Sequence, residues 1–203
     1  SRGYTRPEHL AAVASLFERA FAGEPVFACV SVPPRHGKTE MVLAAIAWWL
    51  SRRPADTLGF VSYASSFAES KSSRGRDYAT AAGVQLHPSR NTLSEWRTTA
   101  GGGLLATGIG GPLTGQGVRL AVVDDPVKNR EEAESALIRQ RTWDWFTSTL
   151  WTRIEPEGSC IVVHTRWHED DLIGRLARGE MGDAAQWEVV NLPALSDGEE
   201  PLW

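Results

Sequence analysis

Gly37, Lys38 and Thr39 stand between an apolar run, VFACVSV, and an amphipathic stretch that begins at Lys38. A strand that feeds a tight turn and then a helix N-terminus aims backbone N–H groups and the helix dipole at an anion. In that setting Gly37 lets the backbone approach phosphate without a Cβ clash. Lys38 reaches the β- and γ-phosphates of a nucleotide, and the Thr39 hydroxyl takes a place on Mg2+. The chain has only three lysines, Lys38, Lys71 and Lys128, and one of them falls here. The segment PPRHGKTE departs from the usual phosphate-loop pattern, because Val32 stands where the first glycine is expected and Pro33 and Pro34 follow it. A bare Gly-Lys-Thr could also be an ordinary strand-to-helix turn, so the flanking strand and helix carry the reading.

A second apolar strand, RLAVVDDP, ends in two carboxylates. In a nucleotide hydrolase the first, Asp124, holds Mg2+, and the second, Asp125, orients or deprotonates the attacking water. Solvated acids capping a strand are the plain alternative. A third strand end, CIVVHTRWHEDDL, offers Thr165 as a polar group able to sense a γ-phosphate. His164 and His168 are four residues apart beside Glu169, Asp170 and Asp171, which invites a metal site. We set that reading aside, because His164 lies on the strand side of the turn and the acids fall in a first helical turn, where the dipole favours them.

These residues need a sheet to position them. Apolar runs alternate with longer amphipathic stretches, the pattern of an α/β sheet covered by helices. PEHLAAVASLFERAFAG places Leu10, Val13, Leu16, Phe17 and Phe21 on one helical face and stops at Gly23. Strands are expected over 26–32 and TLGFVSYA, and helices over 38–51 and about 66–82. TLSEWRTT, AGGG and LLATG predict a hairpin with a glycine turn. After GIGGPLTGQG and RLAVVD, one long helix is expected from Glu131 to Trp151, then the strand CIVVHT, the helix EDDLIGRLAR and the strand QWEVVNL.

At 203 residues the chain has room for one sizeable domain. Apolar residues are 42% and charged residues 23%, which excludes a disordered or collagen-like chain. The net charge of −4 excludes a wholesale polycation, although not a local basic patch. The longest apolar run, the ten residues MVLAAIAWWL, falls well short of the ~20 that cross a bilayer. No basic-then-apolar leader opens the chain, so secretion is not expected. Cys29 and Cys160 are too few for a disulfide framework and read as reduced core thiols.

Taken in order, PPRHGKTE, GIGGPLTGQG, VVDDPVKNREEAES, LWTRIEPEGSCIVVHTRWHEDDLIGRL and LPAL resemble the ATPase domain of the tailed-phage terminase large subunit, the DNA-packaging motor. TRWHEDDL spaced behind DDPVKNREEAES is the most specific part. The resemblance covers nearly the whole chain. It implies a RecA-like (ASCE) P-loop fold, with a mostly parallel central sheet flanked by helices. An additional strand should lie between the phosphate-loop strand and the acidic strand, which puts Cys160's strand beside Cys29's. It implies a P-loop ATPase domain over 1–192, with 193–203 starting a linker toward a C-terminal nuclease domain that this chain lacks. ATP hydrolysis without DNA cleavage is then expected.

Residue by residue, the resemblance implies nucleotide contacts from Pro34, Arg35, His36, Gly37, Lys38, Thr39 and Glu40, with Arg35 on the γ-phosphate. It implies Mg2+ at Thr39 and Asp124, catalysis by Lys38 and Asp125, and a coupling motif at Thr165 and Arg166. The stretch from Tyr4 to His9 stands where relatives hold adenine but lacks their glutamine. Relatives carry an arginine finger in the Gly-rich loop, where this chain has Gln116. Arg119 is the nearest substitute, with Arg35, Arg76 and Arg166 as rivals. The implied partners are ATP, Mg2+, double-stranded DNA, a homo-oligomeric ring on the procapsid portal and the small terminase subunit, in the cytoplasm of an infected bacterium with no membrane. Two other classes fit the phosphate loop alone. A small-metabolite kinase would transfer the γ-phosphate to an acceptor and usually needs an Arg-rich lid. A non-hydrolysing nucleotide-binding module would not need Asp125.

Overall fold

The structure is a computed structural model and describes residues 8–113 and 115–194. A short 3-10 turn at Glu8–Leu10 leads into α1 (Ala11–Ala22), which ends on left-handed Gly23. Strand β1 (Phe27–Ser31) then enters the phosphate loop, and α2 runs from Lys38 to Arg52. β2 (Thr57–Ser62) and α3 (Ser65–Ala81) follow. Three strands come next: β3 (Leu86–Asn91), β4 (Glu95–Thr98) and β5 (Gly103–Gly108). After the Gly-rich loop come β6 (Val118–Asp124), α4 (Arg130–Glu134) and α5 (Ala136–Trp145). β7 (Ile154–His164), α6 (Leu172–Ala177) and β8 (Glu188–Asn191) complete the order.

The eight strands form one sheet in the order β3-β4-β5-β2-β6-β7-β1-β8. Only the β3–β4 and β4–β5 pairings are antiparallel; the rest are parallel. β7 lies between β1 and β6, the inserted strand that the sequence led us to expect, and Cys29 and Cys160 sit on neighbouring strands in register Cys29↔Val162 and Phe27↔Cys160. Parallel strands covered on both faces read as continuous apolar runs, and the core shows the two faces separately. Leu120 and Val122 of β6 join Val30, Ile161 and the α1–α3 side chains on one face. Ala121 and Val123 join Cys29, Cys160, Phe146, Leu150 and Ile173 on the other. The architecture is a three-layer α/β/α sandwich of the RecA-like kind. Among the described residues no helix is long and apolar enough to cross a membrane.

Two local expectations need correcting. The single helix from Glu131 to Trp151 is instead α4, a break at Ser135, α5, a π turn at Phe146–Leu150 and a 3-10 turn at Trp151–Arg153. Ser135 is extended, and its hydroxyl accepts a hydrogen bond from Ile138 N–H, so it ends one helix and caps the next. The helix expected over EDDLIGRLAR is shorter, because Asp171 is its N-cap rather than an interior residue. The strand β3 was not anticipated at all; its exposed, polar LHPSRN has no alternation to signal it.

Candidate active site

The parallel strands β1, β6 and β7 all point their C-terminal ends at the N-terminus of α2. Gly37 caps that helix in the left-handed conformation, φ 81°, without a side-chain cap. The first-turn N–H groups of Lys38, Thr39 and Glu40 therefore keep the anion-binding capacity of an uncapped helix start. Arg35 at the loop apex is also left-handed, φ 65°, and exposed. His36 donates Nδ1–H to the Pro34 carbonyl, and its own carbonyl accepts from His9 Nε2 at 3.0 Å, which ties the loop to the start of α1.

Lys38 is nearly buried, and its ammonium is shared between Thr165 Oγ1 at 2.8 Å and Asp125 Oδ2 at 2.9 Å. The Thr39 hydroxyl donates to Asp124 Oδ2 at 2.7 Å. The neighbouring register, Asp124↔Val163 and Ser31↔His164, is what brings these five residues from three strand ends to one point. Asp124 is fully buried, and burial, followed by the charge of Asp125, pushes its carboxyl up to about 7. Burial works the same way on Asp125, but the hydrogen bond from His164 and the charge of Lys38 outweigh it and hold that carboxyl below its ordinary value. Asp125 also has left-handed backbone, φ 47°. Its N–H donates to Val163 O and its carbonyl accepts from Tyr63 N–H, while the Ser62 hydroxyl donates to the preceding Asp124 carbonyl at 2.6 Å, so the strained conformation is clamped on both sides.

Asp124 Oδ1 is buried with no partner among the described residues, while Oδ2 is bound to Thr39. A buried carboxylate oxygen without a donor costs stability unless something positive completes it. A hard cation held by Thr39 Oγ1 and Asp124 fits this donor set.

A sequence model of the family described as terminase large subunit, T4likevirus-type, N-terminal, matches residues 29–200. The chain belongs to this family. Its fold is similar to the crystal structure of the HK97 bacteriophage large terminase, with a TM-score of 0.57 at 14% identity over 96% of this chain. This chain spans 45% of that one. No curated protein matches the sequence.

Within the terminase fold the structure brings Lys38, Thr39, Asp124, Asp125 and Thr165 together and leaves other sequence-derived residues elsewhere. Glu40 turns its carboxylate to α3, where Tyr78 donates to it at 2.6 Å and Arg74 pairs with it at 2.9 Å. Only its backbone N–H remains on the phosphate side. Arg119 lies at the N-terminal end of β6 and pairs with Glu157 at 3.3 Å. Five residues at ~3.3 Å each put it about 16 Å along the strand from Asp124, so it is not brought to the site within this chain. Gln116 accepts from buried Arg97. Arg76 bonds Asn91. Arg166 stands beside the site, with Nε on Asp171 Oδ2 at 2.6 Å and Nη2 on the carbonyls of His168 and Glu169. His164 and His168 do not converge: His164 Nδ1 faces Asp125, and His168 Nδ1 accepts from Asp170 N–H. Of the adenine stretch, residues 4–7 lie outside the described residues, as do residues 195–203 of the expected linker.

Sequence reasoning missed His164 and Asp171 as parts of the site and Ser62 as its backbone brace. Nothing local in the sequence signals them: the register Asp124↔Val163, which only the structure gives, sets His164 opposite the residue that follows Asp124.

Proposed function

We propose that this chain is the ATP-hydrolysing motor domain of a DNA-packaging terminase, converting ATP to ADP and phosphate with Mg2+. The observation that carries this reading is the convergence of Lys38 on both Asp125 and Thr165 at the uncapped start of α2. The loop amides and Lys38 bind and orient the β- and γ-phosphates, which is most of what phosphoryl transfer asks of a protein. Bound Mg2+, held by Thr39 and Asp124, would neutralise charge developing on the phosphates. Asp125, ionised and fixed in direction, orients the attacking water and accepts its proton. Thr165 reads phosphate occupancy through Lys38 and passes it to Arg166, whose loop leads into α6.

Family membership supports double-stranded DNA, a homo-oligomeric ring on the portal and the small terminase subunit as partners, in the cytoplasm of an infected bacterium. DNA contact would be mainly to phosphates, and so salt-sensitive and sequence-blind. In this reading Arg35, exposed at the loop apex, would act on the nucleotide of its own chain, and Arg119, at the far end of β6, on a neighbour's.

The test is steady-state ATP hydrolysis against protein concentration for the parent, Lys38→Ala and Asp125→Asn. Activity lost in both variants supports the assignment, and a rise steeper than linear points to a finger supplied in trans. Transfer of labelled γ-phosphate to an acceptor instead of water would make the chain a kinase. Nucleotide binding without turnover at any concentration, with or without DNA, would make it a binding module.

A further inference from the structure

The Asp125 carboxylate is held asymmetrically. Oδ2 faces Lys38, while Oδ1 accepts Thr165 N–H at 3.0 Å and lies 3.2 Å from His164 Nδ1. A carboxylate can only accept, so the imidazole donates from Nδ1, which fixes its tautomer. His164 has no exposed surface. It is the last residue of β7, and its carbonyl accepts from Val32 N–H at 3.2 Å, so its backbone is locked beside the phosphate-loop strand. On the far side of the ring, Nε2 is 4.0 Å from Asp171 Oδ2. Asp171 is itself buried and fixed, with Oδ1 accepting Gly174 N–H at 2.8 Å and Oδ2 accepting from Arg166.

We propose that His164 is the positioning residue for Asp125, with the buried Asp171, itself held by Arg166, lying behind the ring. The inference rests on the hydrolytic reading of the site. His164 and Thr165 N–H hold Oδ1 and thereby leave Oδ2 as the oxygen that meets water once a phosphate draws Lys38 away. A group that reacts through a directed lone pair must have its torsion fixed, and the left-handed backbone of Asp125 alone does not fix χ1 or χ2. A histidine that merely filled core space would have no need to direct Nδ1 at a carboxylate.

The variants separate these roles. In His164→Asn the side-chain amide reaches the position of Nδ1 and still donates to Asp125. His164→Gln reaches toward Nε2, which makes no hydrogen bond, and loses the one from Nδ1; His164→Leu keeps the volume and loses it as well. With the full chain, His164→Leu should lower kcat about 10–100-fold, as loss of a residue that orients a functional ligand does. KM for ATP should stay within about twofold, because no nucleotide contact is removed. His164→Asn should recover most of the rate and His164→Gln should not. Equal losses in Asn and Gln, an unchanged kcat in Leu, or a KM that rises in step would overturn the proposal. If His164→Leu does not fold, the order of Asn and Gln decides alone. Parent activity that survives Lys38→Ala would instead overturn the hydrolytic reading.

A readout without turnover guards against a slow enzyme. The His164 Nδ1–H proton should give a slowly exchanging low-field NMR resonance that moves upfield in Asp125→Asn. No such proton in the parent, or no response to Asp125→Asn, counts against the inference.

Discussion

The ammonium of Lys38 lies 2.9 Å from Oδ2 of Asp125, so the group that would stabilise phosphoryl charge and the group that would orient water neutralise each other. The pair is largely shielded from solvent, where an ion pair is worth more than on the surface but still opposes any ligand that must take one partner away. A terminal phosphate is such a ligand. Under the proposed function its arrival would move Lys38 onto phosphate and free Asp125 Oδ2 for water in the same event, so the carboxylate would be quenched until a nucleotide binds.

Asp125→Asn should then separate binding from chemistry. Removing the carboxylate charge releases Lys38 for phosphate. ATP affinity should rise about three- to tenfold, the equivalent of roughly 1 kcal/mol, while hydrolysis is lost. Titration with a fluorescent ATP analogue beside a phosphate-release assay checks this. Weaker binding in the variant would show that Asp125 helps to hold nucleotide and does not compete for Lys38.

Gly37→Ala tests the loop backbone. A Cβ there meets only Leu10 Cδ1, at 3.6 Å, so space is not the obstacle; φ of +81° is. Holding an L-residue in that region costs about 1–2 kcal/mol. The variant should lose that much stability by denaturant unfolding. It should also lose nucleotide affinity by a larger factor than stability alone explains, because the loop amides would turn.

Gly174→Ala tests the clamp behind His164. A Cβ at Gly174 would fall 1.8 Å from Glu169 O and 3.1 Å from an Arg166 guanidinium nitrogen. The 166–171 loop has to move, at roughly 2–3 kcal/mol for an overpacked site. We expect a folded but less stable protein whose kcat falls with little change in ATP binding, measured by thermal unfolding and steady-state kinetics.

Asp170 links α5 to α6 by accepting from Arg175, Arg139 and Arg178. Arg175 leads the arginines that hold its carboxyl below the usual range, against a smaller opposing effect of desolvation. A depressed native pKa means that the unfolded chain binds the proton more readily. The stabilisation is therefore full above the unfolded value of about 4 and shrinks as pH falls below it. Asp170→Asn should cost about 1 kcal/mol at pH 7 in low salt, less at high salt, as solvent-screened pairs do. The gap between parent and variant should narrow toward pH 3 in urea unfolding curves; a gap that widens would contradict the linkage.

Buried strands and a strand-turn-helix phosphate site advertise themselves locally, which is why β1, β6 and the Gly37–Thr39 turn were legible. The position of β7 between them was not local information; it came from the family resemblance. The break at Ser135 went unread because a single serine inside an amphipathic stretch is common, and only its extended backbone makes it a cap. Glu40 sits where a first-turn acid is unremarkable, and its attachment to Tyr78 and Arg74 spans 38 and 34 residues of sequence. His164 was read against His168, its neighbour in sequence, when its partner is Asp125, 39 residues away across two parallel strands. Periodicity finds the elements; side-chain pairing between strand ends depends on register, which a single sequence does not display.

Cys29 and Cys160 lie on adjacent central strands with no exposed surface, and burial lifts the Cys29 thiol to about 12 and that of Cys160 well above its ordinary value. Neither can meet a thiol reagent as a thiolate until the middle of the sheet parts. Their modification rate is therefore a clock for opening of the strands that carry the phosphate loop and the inserted strand, and a bound nucleotide bridging those two strand ends should slow it.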